Sequence, residues 1–254
     1  MTCIIAVVGR KGGAGKTTTA FNLGGAMAAA EQRVLLVDMD PQASLTGILL
    51  GQRSGLGIGS ALTDPRATLD PLIIATDAGL FPKMYLVPGD RAIERAAQDL
   101  SDTATGFFRL RKLLAPLTGF DLVVIDTPPA MGFAISSALL AADRAVLPTL
   151  TGQHDLDALA DTIRLIDDQR DLGGAALAAI VPCAVRPREL HDRGAMEALT
   201  EAYGDLVTEP VPYSPRVRES LAARQPLAQY DPRSPGAQAY AALAQRLGGM
   251  ATHG

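Results

Sequence analysis

Two of the four lysines of this 254-residue chain lie close together in a glycine-rich segment near its start. Residues 9–19 read Gly-Arg-Lys-Gly-Gly-Ala-Gly-Lys-Thr-Thr-Thr, with Lys11 and Lys16 as the lysines. An apolar run at residues 2–8 predicts a strand before this segment, and residues 16–30 predict a helix after it. A strand, a glycine-rich loop and a helix in this order are what a phosphate-binding loop requires.

The residue types in this loop suit a nucleoside triphosphate. Glycines at 12, 13 and 15 let the backbone turn tightly and direct its N–H groups at phosphate oxygens. The N-terminus of the following helix favours the same anion. We expect Lys16 to reach the β- and γ-phosphates, Thr17 to ligate Mg²⁺, and Thr18 to contact the α-phosphate side. These residues predict an ATP-binding set of Gly12, Gly13, Ala14, Gly15, Lys16, Thr17 and Thr18, and the resemblance described below adds Lys11 to it.

Carboxylates end two further predicted strands. Four apolar residues at 122–125 precede Asp126, the Walker B arrangement in which an aspartate holds Mg²⁺. Asp38 and Asp40 lie two residues apart at the end of the strand predicted at 33–38, so both side chains can address the same edge of a site. From the residues alone, the alternative interpretation of Asp38 and Asp40 is a solvent-exposed turn.

Taken together, these segments resemble one family. The loop at 11–18, KGGxGKTT, is similar to the deviant Walker A motif of the ParA/MinD group, and it has Arg10 where the strict P-loop pattern has glycine. Residues 38–42 resemble the DxDPQ element of ParA-like proteins, and Thr-Pro-Pro at 127–129 matches the same pattern. The resemblance extends from residue 2 to about residue 247 and is weakest at 51–84.

The resemblance implies roles for individual residues. Lys11 corresponds to the signature lysine, which reaches the nucleotide of the other subunit and stabilises transferring phosphoryl charge there. Asp38 would support the hydrated Mg²⁺, and Asp40 would orient the attacking water, so Lys11, Lys16 and Asp40 form the expected catalytic set. Residues 127–134 would form a second switch that responds to the γ-phosphate.

A second resemblance lies in the last third of the chain. Residues 211–219 are similar to the family segment that lies on the adenine ring, which implies base contacts from Pro212 and Ser214. Tyr213 stands where the family commonly has arginine, Ser214 stands in place of asparagine, and Pro215 reads as an insertion. An ordinary strand-to-helix turn remains the alternative.

Arginines suggest a nucleic-acid partner. ParA-like ATPases bind DNA without sequence preference, and Arg188 and Arg218 fall near family arginines used for this purpose. The net charge of −4 argues against a wholly basic surface, so a basic patch would have to be local. Solvated surface arginines, with codon bias favouring arginine over lysine, are the alternative.

Composition and periodicity indicate the fold class. Hydrophobic residues make up 48 % of the chain and charged residues 20 %, which is typical of a globular protein. Strands apolar on both faces alternate with helices, which predicts an α/β, doubly wound, mostly parallel sheet flanked by helices. We expect a single P-loop ATPase domain over 1–254 without a separate N-terminal DNA-binding domain. The last helix should span 234–247, with Ser234 as its cap and Gly248-Gly249 as its end.

These features predict a ParA-like ATPase using ATP and Mg²⁺. It would form an ATP-dependent homodimer, bind DNA non-specifically, and position DNA or protein cargo, while a ParB-like or adaptor protein stimulates hydrolysis. We expect a cytoplasmic protein that associates with the nucleoid when ATP is bound. The alternative is a MinD-like membrane-associated regulator, but residues 236–250 offer Arg246 as their only cation, so we expect no stable membrane association.

Two other classes remain. A metal-cluster carrier would need paired cysteines, and Cys3 and Cys183 read instead as two separate reduced thiols; a colourless protein after anaerobic purification would exclude it. A synthetase or kinase acting on a small molecule is compatible with a P-loop. Phosphate release without added substrate would separate that class from the partition ATPase.

Overall fold

The computed structural model describes residues 2–51, 55–76, 83–103, 105–129 and 132–251. The strands are β1 Cys3–Val7, β2 Val34–Asp38, β3 Ile74–Ala75, β4 Met84–Val87, β5 Leu122–Asp126, β6 Arg144–Thr149, β7 Ala176–Val185 and β8 Val211–Pro212. The helices are α1 Lys16–Ala29, α2 Ser44–Leu50, α3 Ile58–Thr63, α4 Ala92–Leu100, α5 Arg109–Leu114, α6 Phe133–Ala141, α7 Gln153–Asp171, α8 Leu190–Tyr203, α9 Pro215–Ala222, α10 Leu227–Tyr230 and α11 Pro235–Ala251.

These strands form one sheet in the order β3-β4-β2-β5-β1-β6-β7-β8. Neighbouring strands run parallel except at one edge, where β3 pairs with β4 antiparallel. The predicted doubly wound, mostly parallel sheet is therefore confirmed. Because β1 lies at the centre, the loop that follows it opens at the carboxyl edge of the sheet, where such folds bind ligands.

Both faces of the sheet are buried, which explains the continuous apolar runs in its strands. Side chains of β1 alternate between two hydrophobic clusters: Ala6 belongs to one cluster, and Ile5 and Val7 belong to the other. Helix α6 is buried around nearly its whole circumference, whereas α1 and α11 pack together on the opposite face.

Most boundaries lie within a few residues of the predicted ones, but one prediction about a helix was wrong. The final helix does not end at Gly248-Gly249; it continues to Ala251. Each glycine costs about 1 kcal/mol relative to alanine in a helix, and the burial of Tyr240, Leu243 and Leu247 holds the helix in place. A 3₁₀ turn at Gly106–Phe108 directly precedes α5.

The cap prediction for the last helix is confirmed, because the Ser234 hydroxyl accepts a hydrogen bond from the Ala237 N–H at 3.3 Å. The region at 51–84, where sequence patterns were uninformative, contributes α3 and β3 within its described part. Gly57 and Gly59 flank the start of α3, and a Cβ on either would collide with the Pro88 carbonyl or the Ile93 N–H. These glycines permit close packing of α3 against the β4–α4 connection, so they do not indicate a loop.

Candidate active site

The loop between β1 and α1 depends on glycine at two positions. Gly13 and Gly15 have φ values of 76° and 95°, in the left-handed region that disfavours side chains. A Cβ on Gly15 would also lie 3.2 Å from the Cys183 sulfur of β7. The chain can therefore turn here and start α1 at Lys16, with the helix N-terminus facing the loop.

Lys16 lies inside this loop. Its side chain is buried, and its Nζ donates a hydrogen bond to the Lys11 carbonyl oxygen at 2.9 Å. Burial lowers the pKa of Lys16, while the charges of Asp126 and Asp40 act in the opposite direction. The predicted phosphate-binding lysine thus lies within the electrostatic field of two of the predicted acidic residues.

Asp38 and Asp126 end adjacent strands in register, with their Cα atoms paired between β2 and β5. Asp38 accepts hydrogen bonds from the Thr46 N–H at 2.8 Å, the Thr46 hydroxyl at 2.7 Å and the Asp40 N–H at 3.1 Å. Burial raises the pKa of Asp38 to about 6, and these hydrogen bonds act in the opposite direction. Two buried carboxylates are therefore held side by side at the carboxyl edge.

Asp126 has the chemistry of a cation ligand. Both of its carboxylate oxygens are buried and lack a hydrogen bond of standard geometry, although the Thr17 hydroxyl is close enough to lower its pKa. Burial first, and the Asp38 charge second, raise the pKa of Asp126 well above its usual value. A divalent cation would relieve both effects, so the residues present fit Mg²⁺.

The described residues contain no group of three or more His, Cys, Asp or Glu side chains placed to hold a metal ion. In nucleotide sites, Mg²⁺ is usually bound by one or two carboxylates, a hydroxyl, water and substrate phosphates. Asp40 lies beside the pair, is largely buried, and accepts a hydrogen bond from the Gln42 N–H at 2.8 Å.

An open space of about 340 Å³ lies beside the loop and is lined by the predicted base-contact residues. Its walls include Gly15 and Thr18 on one side and Pro212 and Ser214 on the other. Ser214 also caps α9, because its hydroxyl accepts a hydrogen bond from the Arg216 N–H at 3.2 Å. The structure thus brings the 211–219 segment to the phosphate loop.

The two predicted DNA-contact arginines are both exposed, but they differ in position. Arg188 lies in the turn between β7 and α8. Arg218 lies on α9 at the rim of this space, and its Nη2 donates to the Tyr213 hydroxyl at 3.3 Å. The Arg186 guanidinium lies 4.2 Å from the centre of the Tyr213 ring. Arg218 therefore borders the space beside the phosphate loop, whereas Arg188 does not line it.

The Lys11 side chain contacts helix α7 and not the interior of the loop. It is 41 % exposed, and its Nζ forms an ion pair with Asp155 Oδ1 at 2.7 Å. The neighbouring Arg10 pairs with Asp161 at 2.5 Å, so two cations of the loop contact helix α7. Of the predicted second switch at 127–134, Thr127 donates from its hydroxyl to the Val7 carbonyl at 2.9 Å, whereas residues 130–131 lie outside the described residues.

Sequence patterns missed Thr46 and Asp155. Thr46 links two strand ends, because its hydroxyl donates to Asp38 and accepts from the Gly89 N–H at 2.9 Å. The only sequence signal for this contact was a threonine eight residues after the aspartate that ends β2. Asp155 was detectable only as an acid in the first turn of a helix, and its importance depends on β6 lying next to β1.

Comparison with known proteins gives consistent matches. A family model described as an AAA domain matches residues 2–173. The chromosome partitioning protein ParA of Caulobacter vibrioides is 31 % identical, over 96 % of this chain and 93 % of the relative. The cobyrinic acid a,c-diamide synthase of Mycobacterium smegmatis, solved with ADP and magnesium, is 28 % identical with a TM-score of 0.82, covering 97 % of this chain and 94 % of that one. An ATP complex of a Cyanothece McdA variant, 23 % identical, shares the fold with a TM-score of 0.86 and covers 97 % of this chain and 96 % of that one.

The sheet order, the glycine loop at its centre and the strand-terminal carboxylates define a P-loop nucleotide hydrolase. The chain belongs to the ParA family of P-loop ATPases. It is an ATPase, and its cofactors are ATP and Mg²⁺.

Proposed function

We propose that this ATPase is a nucleotide-controlled dimer that binds DNA non-specifically and positions or segregates DNA or protein cargo. ATP binding would assemble two chains around two nucleotides, and hydrolysis, stimulated by a ParB-like or adaptor protein, would separate them. Relatives named as partitioning proteins support this cycle. The protein would act in the cytoplasm and lie on the nucleoid while ATP is bound.

Within one chain, the loop residues would hold the triphosphate. The backbone of Gly12, Gly13, Ala14 and Gly15 would face its oxygens, and Lys16 would exchange the Lys11 carbonyl for a phosphate. Thr18, Pro212 and Ser214 would line the base and α-phosphate side. Lys16→Ala should therefore abolish ATP binding, which equilibrium dialysis with labelled ATP measures directly.

Thr17, Asp38 and Asp126 would hold Mg²⁺, directly or through water. Bound Mg²⁺ would neutralise charge that develops on the phosphates during transfer. Asp40, oriented by the Gln42 N–H, would place the attacking water. Asp40→Ala is thus expected to keep ATP binding and dimer formation but to stop phosphate release.

The position of Lys11 is the observation that carries the dimer proposal. Lys16 is buried inside the loop, whereas the Lys11 ammonium lies outside it on a half-exposed side chain. A cation in that position is free of its own phosphate cradle and can serve a neighbouring one. The test is a mass measurement on Asp40→Ala saturated with Mg²⁺ and ATP; a single-chain mass at all concentrations would remove the dimer from the proposal.

Arg188 and Arg218 are the arginines we propose to contact DNA phosphates. Non-specific binding of this kind weakens steeply with salt, so an ATP-dependent mobility shift should fade as salt rises. Arg188→Glu is the clean variant, because Arg218 also borders the base pocket and its substitution would disturb two sites. Unchanged DNA binding by Arg188→Glu, with ATPase activity retained, would exclude that residue.

The last helix favours DNA over a lipid surface as the partner. The apolar side chains of α11, including Tyr240, Leu243 and Leu247, are buried in the hydrophobic cluster between the sheet and α1. No helix in the described ranges is long and apolar enough to cross a bilayer. Co-sedimentation with anionic vesicles in the presence of ATP should leave the protein in the supernatant, and sedimentation with them would favour a membrane-associated regulator.

A further inference from the structure

The rim of the open space beside the phosphate loop carries an arginine whose charge has no acidic partner. Arg218 donates from Nη2 to the neutral Tyr213 hydroxyl at 3.3 Å, and among the described residues no carboxylate lies at ion-pair distance from it. Arg216, on the same helix, pairs instead with Glu219 at 3.0 Å and Asp231 at 3.8 Å. The remaining N–H groups of Arg218 are therefore available to a ligand in this space.

Two hydroxyl groups that line this space are already used as acceptors. The Ser214 hydroxyl accepts from the Arg216 N–H at 3.2 Å, and the Tyr213 hydroxyl accepts from Arg218, so each has its own O–H left to donate. No amide or carboxylate side chain occurs among the described residues that line the space. Such side chains are the ones that accept a hydrogen bond from the amino group of a base. The walls of the space therefore suit a base edge that accepts hydrogen bonds.

The two purines differ at this edge. Guanine presents O6 and N7, which both accept, whereas adenine presents N7 beside an amino group that donates. A guanidinium group fits O6 and N7 of guanine with two parallel hydrogen bonds, but it directs a donor at the amino group of adenine. We propose that Arg218 is a specificity-determining residue of the base site and that GTP is a second nucleotide of this ATPase. This inference rests on the proposed function, in which Pro212 and Ser214 contact the base.

Tyr213 holds Arg218 at the rim of the space. Its backbone N–H donates to the Val185 carbonyl of β7 at 2.9 Å, and the Arg186 guanidinium covers its ring at 4.2 Å. The Tyr213 hydroxyl is thus an acceptor on a side chain that is fixed from two sides. Arg218 is oriented before a base arrives, which lowers the entropic cost of fixing a long side chain on binding.

The experiment is equilibrium dialysis with labelled ATP and labelled GTP, using the Asp40→Ala chain with Mg²⁺ and without DNA. The readout is the ratio of the two dissociation constants, because a general loss of folding or of phosphate binding cancels in this ratio. In the Asp40→Ala parent, GTP should bind at least as tightly as ATP, to within about threefold.

Arg218→Gln replaces the guanidinium with an amide, which pairs with the amino group and N7 of adenine. It should shift the ratio about tenfold toward ATP. Arg216→Gln is the matched control, because it makes the same substitution on the same helix at a residue that does not line the space. It should leave the ratio unchanged.

Tyr213→Phe tests the positioning of Arg218. It keeps the ring that Arg186 covers and removes the hydroxyl that Arg218 contacts. The ratio should move about threefold toward ATP, since Arg218 then loses part of its orientation. A ratio identical to that of the parent would exclude Tyr213 as the positioning residue.

Three results would overturn the assignment of Arg218. The first is a parent that binds GTP more than about tenfold more weakly than ATP. The second is an unchanged ratio in Arg218→Gln, and the third is an equal shift in Arg216→Gln, which would make the charge of α9 the cause. If the parent binds neither nucleotide, the proposed function itself fails, and that outcome is distinct from a parent that binds ATP with an unresponsive ratio.

Discussion

The contact between Thr46 and the site carboxylate gives the sharpest stability prediction. The Thr46 hydroxyl is fully buried, donates to Asp38 Oδ2 at 2.7 Å and accepts from the Gly89 N–H at 2.9 Å. Thr46→Val keeps the shape of the side chain and removes both hydrogen bonds. A hydrogen bond to a charged group is worth about 1.5–3 kcal/mol, and an unsatisfied buried N–H costs about 1–3 kcal/mol. We expect a loss of about 3 kcal/mol in the free energy of unfolding.

The assay is urea unfolding at pH 7.5 without nucleotide, where Asp38, with a pKa of about 6, is mostly ionised. Thr46→Ser is the control: it keeps the hydroxyl and loses a buried methyl group, at about 1 kcal/mol. At pH 5 Asp38 is largely protonated, so the penalty of Thr46→Val should shrink toward that of a neutral hydrogen bond. Equal losses for the valine and serine variants at pH 7.5 would refute this reasoning, since the hydroxyl would then contribute no more to stability than the methyl group does.

Three further predictions concern the loop and its supports. Gly15→Ala should lose about 1–2 kcal/mol of stability in urea unfolding because its φ is 95°, whereas Gly12→Ala, whose Cβ meets only Pro129 at 3.9 Å, should stay within about 0.5 kcal/mol. Asn22→Leu removes the acceptor of the buried Leu227 N–H at 2.7 Å and should cost about 1–3 kcal/mol in the same assay. Burial raises the pKa of Cys183 to about 12, so at pH 8 its thiol stays protonated and should react with a maleimide only after unfolding, which peptide mapping measures.

The sequence was sufficient to predict the parts of the site that are encoded locally. The loop at 11–18 and the strand-terminal Asp38 and Asp126 were recognisable because each combines an apolar strand with residues of special chemistry. By contrast, α3 escaped prediction because Gly57 and Gly59 resemble loop residues, and only the packed structure shows that they allow a close approach to the β4–α4 connection. A short helix with such glycines has no periodicity strong enough to identify it.

Contacts that depend on strand order were equally impossible to predict from the sequence. The carboxylate of Asp155 meets Lys11 because β6 lies next to β1, and nothing in the linear sequence specifies that neighbour. The same is true of Ser214, which lines the space beside the phosphate loop because β8 forms the sheet edge beyond β7. For Ser214, the family resemblance predicted a base contact that residue spacing alone could not indicate.

Strand register explains why residues so far apart in the chain act at one place. Val7 pairs with Asp126, and Asp126 pairs with Asp38, so β1, β5 and β2 end at the same level of the sheet. The phosphate loop therefore begins at the level of the sheet where both carboxylates lie. No side chain has to extend along a strand to enter the site. A one-residue slip of β5 would turn Asp126 to the opposite face of the sheet. The proposed magnesium site would thus depend on the buried apolar faces of these strands, which hold the register, as much as on the carboxylates themselves.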